Sequence, residues 1–151
     1  MAIRISKRCG YALRAVLELA FRGDSGPVSV QEIAGVQGIP PRFLEIILNE
    51  LRQAGIVASH RGNAGGYTLA DLPQRVTVAQ VIEAIEGPIS IGAGTVDTNE
   101  KGKYVRGDAA LDQLWAKVNA SMTRVCRDAS LETLADWERR SQRSPVPDYS
   151  I

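Results

Sequence analysis

Apolar positions along the chain follow two rhythms, one helical and one extended. Leu44, Ile47, Leu48 and Leu51 recur at i, i+3, i+4 and i+7 and so form one face of a helix. Arg42, Glu45, Ile46 and Asn49 repeat that spacing on another face. Pro41 suits the first helical turn, where its missing N–H costs nothing, and Gly55 is placed to end the helix in a left-handed conformation. Residues 56–60 and 67–70 then read as strands, with Gly62, Gly65 and Gly66 between them to supply the positive φ angles of a tight loop.

Upstream, Ser29-Val30-Gln31-Glu32 reads as a capping box, in which the Ser29 hydroxyl and the Glu32 carboxylate each satisfy an orphan N–H. Val28 and Ile33 stand where a hydrophobic staple packs, so a short helix is expected to begin near Val30 and stop at Gly38, before the Ile39-Pro40-Pro41 turn. Two helices joined by a short turn make a helix-turn-helix, whose second helix enters the DNA major groove; the hairpin after it is then a wing. Ala12, Ala15, Val16, Leu19 and Ala20 mark an earlier amphipathic helix turned to the core.

Downstream, Thr77 to Gln80 form a second capping box, with Val76 and Val81 as staple partners and Gly87-Pro88 closing the helix. Leu111, Leu114, Trp115, Val118, Met122 and Val125 then recur at steps of 3, 1, 3, 4 and 3. By spacing alone this is either a core helix or a seam like that of a coiled coil. Too little chain remains to cover so long a stripe, which favours contact with a second copy. The expected fold is mainly α with a small β-hairpin wing: a winged helix-turn-helix DNA-binding domain over 1–90, a loop over 91–107, a long dimerisation helix and C-terminal helix over 108–140, and a flexible tail over 141–151.

Length changes this picture little, since 151 residues make about one domain. Charge changes it more through distribution than amount. The whole chain carries 18 basic and 17 acidic residues, but residues 1–67 hold eight against five and residues 68–151 ten against twelve, so the helix-turn-helix end is the positive one. Two distant cysteines, Cys9 and Cys126, suit a reducing compartment, and the absence of a membrane-length apolar run or signal pattern points to a cytoplasmic protein. No catalytic constellation is visible: His60 is the single histidine, Glu83 and Glu86 read as a solvated helix face, and the glycine loop joins two strands rather than a strand and a helix, unlike a nucleotide-binding loop. An enzyme is not expected.

The residues carry a resemblance. Ile5-Ser6-Lys7, Gly10 to Ala15, Phe43-Leu44-Glu45, Leu51 to Gly55, Arg61 to Tyr67, Glu86 to Ser90 and Ser130 to Leu134 resemble the Rrf-type winged helix-turn-helix transcriptional regulators, and within them the cluster-free CymR-like subgroup related to IscR and NsrR. The resemblance implies a homodimer acting on double-stranded DNA, most often as a repressor at an inverted repeat, with the dimerisation helix at the Leu111–Val125 stripe. It also implies minor-groove reading by Arg61 and base contact by Glu45, whose carboxylate can accept from cytosine N4. Ile46 departs from the glutamine common at its position and removes an adenine contact. The alternative is a winged helix that regulates a partner enzyme or regulator by protein contact; the presence of Arg61, Gly65 and Gly66 argues against it.

The DNA-contact residues expected on these grounds are Arg4, Ser6, Lys7, Ser29, Arg42, Phe43, Glu45, Asn49, Ser59, Arg61, Gly62, Asn63, Gly65, Gly66 and Tyr67, the backbone N–H groups of the glycine loop among the phosphate donors. Iron-sulfur relatives place three cysteines in the loop before the long helix. Here that loop, IGAGTVDTNEKGKYVRG, has none, Gly10 replaces an acidic residue some relatives supply, and Asp112 stands where one uses histidine. No cofactor and no metal are therefore expected. The signal is left to a thiol, a small-molecule effector or a partner, for which the CymR resemblance implies a cysteine-biosynthesis enzyme. Cys9 lies near the start of the first helix, where the helix dipole favours a reactive thiolate; a buried inert thiol is the other reading.

Overall fold

The computed structural model describes residues 5–90 and 105–143; Arg4, most of the cysteine-free loop and the tail from residue 144 lie outside them. In chain order the elements are α1 (Lys7–Arg22), α2 (Val30–Gln37), α3 (Pro41–Gln53), β1 (Val57–His60), β2 (Gly66–Leu69), α4 (Val78–Glu86), α5 (Asp108–Asp128) and α6 (Leu131–Arg143).

Local chemistry sets most of these boundaries. Ser29 accepts from the Glu32 N–H at 3.2 Å and opens α2, and Gly38 closes it in the left-handed region at φ 62°. Glu32 does not complete the expected box: its carboxylate turns to the Arg22 guanidinium at 2.9 Å, a charged partner preferred to a backbone N–H. The box at Thr77 and Gln80 does form, with both reciprocal bonds, at 3.0 and 3.2 Å. Pro41 starts α3, and past its end Gly55 takes φ 77° while the Gly55 and Ile56 N–H groups close on Arg52 O and Leu51 O.

The wing is an antiparallel pair in the register Val57↔Leu69, Ala58↔Thr68, Ser59↔Tyr67 and His60↔Gly66. A feature beyond the sequence pattern ties it down. Val28, on the approach to α2, exchanges both backbone bonds with Tyr67, at 2.9 and 2.8 Å. Wing and helix-turn-helix are thereby stitched together two residues before α2 begins.

Leu44, Ile47, Leu48 and Leu51 are at most 1% exposed and meet Ala12, Ala15 and Val16 of α1 and Val81 of α4 in one core. Each such side chain is worth about 1.5–3 kcal/mol of burial. The same core takes in Leu131 of α6, and Ala135 on that helix is also fully buried. α6 starts where Ser130 accepts from the Thr133 N–H at 3.1 Å, is hydrogen-bonded through Leu131 N–H to Val76 O at 2.9 Å, and packs on α1. The C-terminal helix thus packs on α1 and the segment leading into α4. α5 is the opposite case: it lies against α4, yet none of its 21 residues is buried.

Candidate nucleic-acid interface

α3 divides cleanly. With Leu44, Ile47, Leu48 and Leu51 committed to the core, the 3.6-residue period sends Arg42, Phe43, Glu45, Ile46 and Asn49 outward, and all five are exposed. Arg42 and Glu45 make no ion pair among the described residues, whereas Asn49 already accepts from the Arg52 guanidinium at 2.7 Å. Arg52 was not among the expected contact residues; its position three residues after Asn49 was the available signal. Arg8, also not anticipated, pairs with Glu50 and braces the N-terminal part of α1 against α3.

Arg61, Gly62 and Asn63 are exposed at the wing tip, and Arg61 has no acidic partner among the described residues. Ser59 faces outward opposite Tyr67, and across the same hairpin the His60 Nε2 lies 2.9 Å from the Thr68 hydroxyl. The glycines differ in purpose. Gly62 needs its φ of 106°, but Gly65 is not in the left-handed region; a Cβ there would stand 2.5 Å from His60 O, so crowding is what demands glycine. Its N–H, one of the phosphate donors expected of the loop, is instead given to Gly62 O at 3.0 Å, and the Tyr67 N–H goes to Val28 O. Tyr67 is half-buried against the core.

The N-terminal residues are similarly engaged. Ser6 caps α1, accepting from the Cys9 N–H at 3.0 Å, and its own N–H donates to Glu86 Oε1 at 2.9 Å; like Ser29, it has its hydroxyl committed to a helix start. Lys7 and Arg14 lie 5.8 and 5.9 Å from the Tyr11 ring centroid, a cation–aromatic stripe along α1. Arg14 also reaches Gln37 at the end of α2, and Gln37 donates to Glu18, which holds Arg22 at 3.0 Å. The hydrogen bond to Glu18, then that to Glu32, raises the Arg22 pKa, so this belt clamps α1 to α2 in its charged form.

Cys9 is fully buried. Burial, and then the charge of Glu86, pushes its thiol up from 9.0 to about 11, opposite to the shift expected from the helix dipole. The thiol is therefore protonated and enclosed, and the inert reading is the one its surroundings fit.

A helix-turn-helix followed directly by a hairpin wing defines this as a winged-helix protein of mainly helical architecture. A family model, Rrf2, described as an iron-dependent transcriptional regulator, matches residues 5–137, and the chain belongs to that family of transcriptional regulators. It is 36% identical over 137 residues to a helix-turn-helix-type regulator of Mycobacterium tuberculosis, covering 88% of this chain and 81% of that protein. To CymR of Bacillus subtilis it is 31% identical over 142 residues, 94% and 96% of the two chains. The solved structure of CymR, the global cysteine regulator of B. subtilis, matches 90% of this chain and 98% of its own with a TM-score of 0.75 at 32% identity. That of T. potens IscR matches 99% and 98% with a TM-score of 0.77 at 28%. These are regulators rather than enzymes.

The chain's donor set does not fit an iron centre of the thiolate kind. Its two cysteines stand at positions 9 and 126, the first enclosed with a raised pKa, and no three His, Cys, Asp or Glu side chains come together among the described residues. No helix among those residues is long and apolar enough to cross a membrane.

Proposed function

We propose that this protein is a cytoplasmic, sequence-specific DNA-binding repressor that works as a homodimer on an inverted-repeat operator, without an iron-sulfur cluster. The observation that carries the reading is the outward face of α3, where Arg42 and Glu45 stand exposed, with no ion-pair partner among the described residues, on the second helix of the helix-turn-helix. Arg61 at the wing tip likewise has no ion-pair partner among the described residues. In this reading α3 enters the major groove, Arg61 reaches the minor groove, and Lys7, Arg42, Ser59 and Asn63 meet phosphates. The α5 stripe supplies the two-fold contact. Control passes through a small-molecule effector or a partner protein; likeness to the cysteine regulator CymR directs the search towards enzymes of cysteine synthesis.

Selection of duplexes from a random-sequence pool by the purified protein tests this directly. The expected product is an inverted repeat with half-sites about 34–36 Å apart, bound with an affinity that falls steeply as salt rises. Arg61→Ala is expected to weaken binding to that duplex by about 1–3 kcal/mol with an unchanged melting temperature. Equal affinity for selected and scrambled duplexes at physiological salt would sink the proposal in favour of a protein-contact module.

A further inference from the structure

The outward face of α3 carries two large apolar side chains that the core does not use: Phe43 is 62% exposed and Ile46 57%. They are not scattered. Together with Tyr11, Pro40 and Ile47 they line a groove of about 410 Å³ between α1 and α3, rimmed by Lys7 and by Arg8, the latter paired with Glu50. An apolar floor with a cationic rim matches a duplex, in which phosphates border a groove whose floor presents apolar groups only at thymine. Ile46 can neither donate nor accept a hydrogen bond. The one major-groove feature it can distinguish is the thymine 5-methyl group.

We propose that Ile46, walled by Phe43, reads the methyl group of a thymine in each half-site. This rests on the reading of α3 as the major-groove helix and adds to it a defined base and a defined atom. The specificity is by contact with carbon alone: thymine gains by burying its methyl against Ile46 and Phe43, and cytosine in its place has only a hydrogen at C5 and forgoes that contact.

The test uses the duplex selected by the intact protein, resynthesised with each thymine in turn replaced by uracil, which removes the methyl and nothing else. One position per half-site is expected to show about a fourfold loss of affinity on the change to uracil, the worth of one buried carbon. In Ile46→Ala the penalty for uracil is expected to shrink to the part that Phe43 supplies, with the fold and melting temperature retained because the side chain is exposed. A tightly bound selected duplex with no uracil-sensitive position would overturn the inference and leave sequence-specific binding standing. So would an undiminished penalty in Ile46→Ala, since the methyl would then be read elsewhere. Failure to enrich any sequence removes the underlying reading and the inference with it.

Discussion

Cys9 shows two effects opposed at a single residue. Its place in the first turn of α1 offers the positive end of a helix dipole, worth about 0.3–1 kcal/mol to an anion. Complete burial and the neighbouring Glu86 charge act the other way and move the thiol from 9.0 to about 11, an effect of roughly 3 kcal/mol at 1.36 kcal/mol per pKa unit. Desolvation wins. Between these two pH values the unfolded chain has given up a proton that the folded one retains, so stability falls as pH rises. The contribution is complete below about pH 9 and lost as the pH passes through about 11. Denaturation midpoints measured across that range are expected to fall less in Cys9→Ala than in the parent. In a Cys126→Ser background, Cys9 is expected to ignore a thiol reagent at pH 8 until denaturant is added; rapid labelling of the native protein would restore it as a sensor.

Among the elements, the wing gives the sharpest test, because two of its glycines are needed for different reasons. At Gly62 an added Cβ meets nothing within 4 Å, so Gly62→Ala bears only the cost of its φ of 106°. At Gly66, φ is 151° and the Cβ would sit 2.3 Å from Val28 O, against the bridge that ties the wing to α2. Gly62→Ala is expected to cost about 1 kcal/mol, and Gly66→Ala about 2–3 kcal/mol or more with loss of the Val28–Tyr67 pairing, visible as faster amide exchange there. Equal melting temperatures for the two would refute the distinction. The same contrast explains what sequence could reveal. Spacing located α2, α3, both strands and the helix at Thr77, because caps, turns and amphipathic periods are local chemistry. It did not reveal the Val28–Tyr67 bridge, the turn of Glu32 to Arg22, the packing of α6 on α1 or the crowding at Gly65, each of which depends on residues distant in sequence or on the course of the backbone. At the candidate site, the outward residues of α3 and Arg61 followed from periodicity and motif. The commitment of the Ser6 and Ser29 hydroxyls to helix starts, and of Asn49 to Arg52, required side-chain partners to be seen.

For the whole molecule the open question is what covers α5. Leu111, Leu114 and Val125 are 48%, 49% and 64% exposed, Trp115, Val118 and Met122 are half-buried, and all six fall on one stripe of a helix with no buried residue. In a protein the stability of a helix comes chiefly from packing of its apolar face, and α4 leaves this stripe largely exposed. A second copy laid along the stripe would bury both sets at once and place two α3 helices and two wings about a two-fold axis, as an inverted repeat requires. Leu111→Glu would put a carboxylate into that seam without a partner and is expected to convert the dimer to monomers in sedimentation and to weaken operator binding in proportion. Gln113→Glu introduces the same charge on the opposite side of α5 and is expected to leave association intact. Far-ultraviolet circular dichroism separates dissociation from unfolding: retained helicity in a monomeric Leu111→Glu protein assigns the stripe to the interface. An intact dimer in that variant moves the seam elsewhere, and loss of association in both variants assigns the effect to added charge rather than to position.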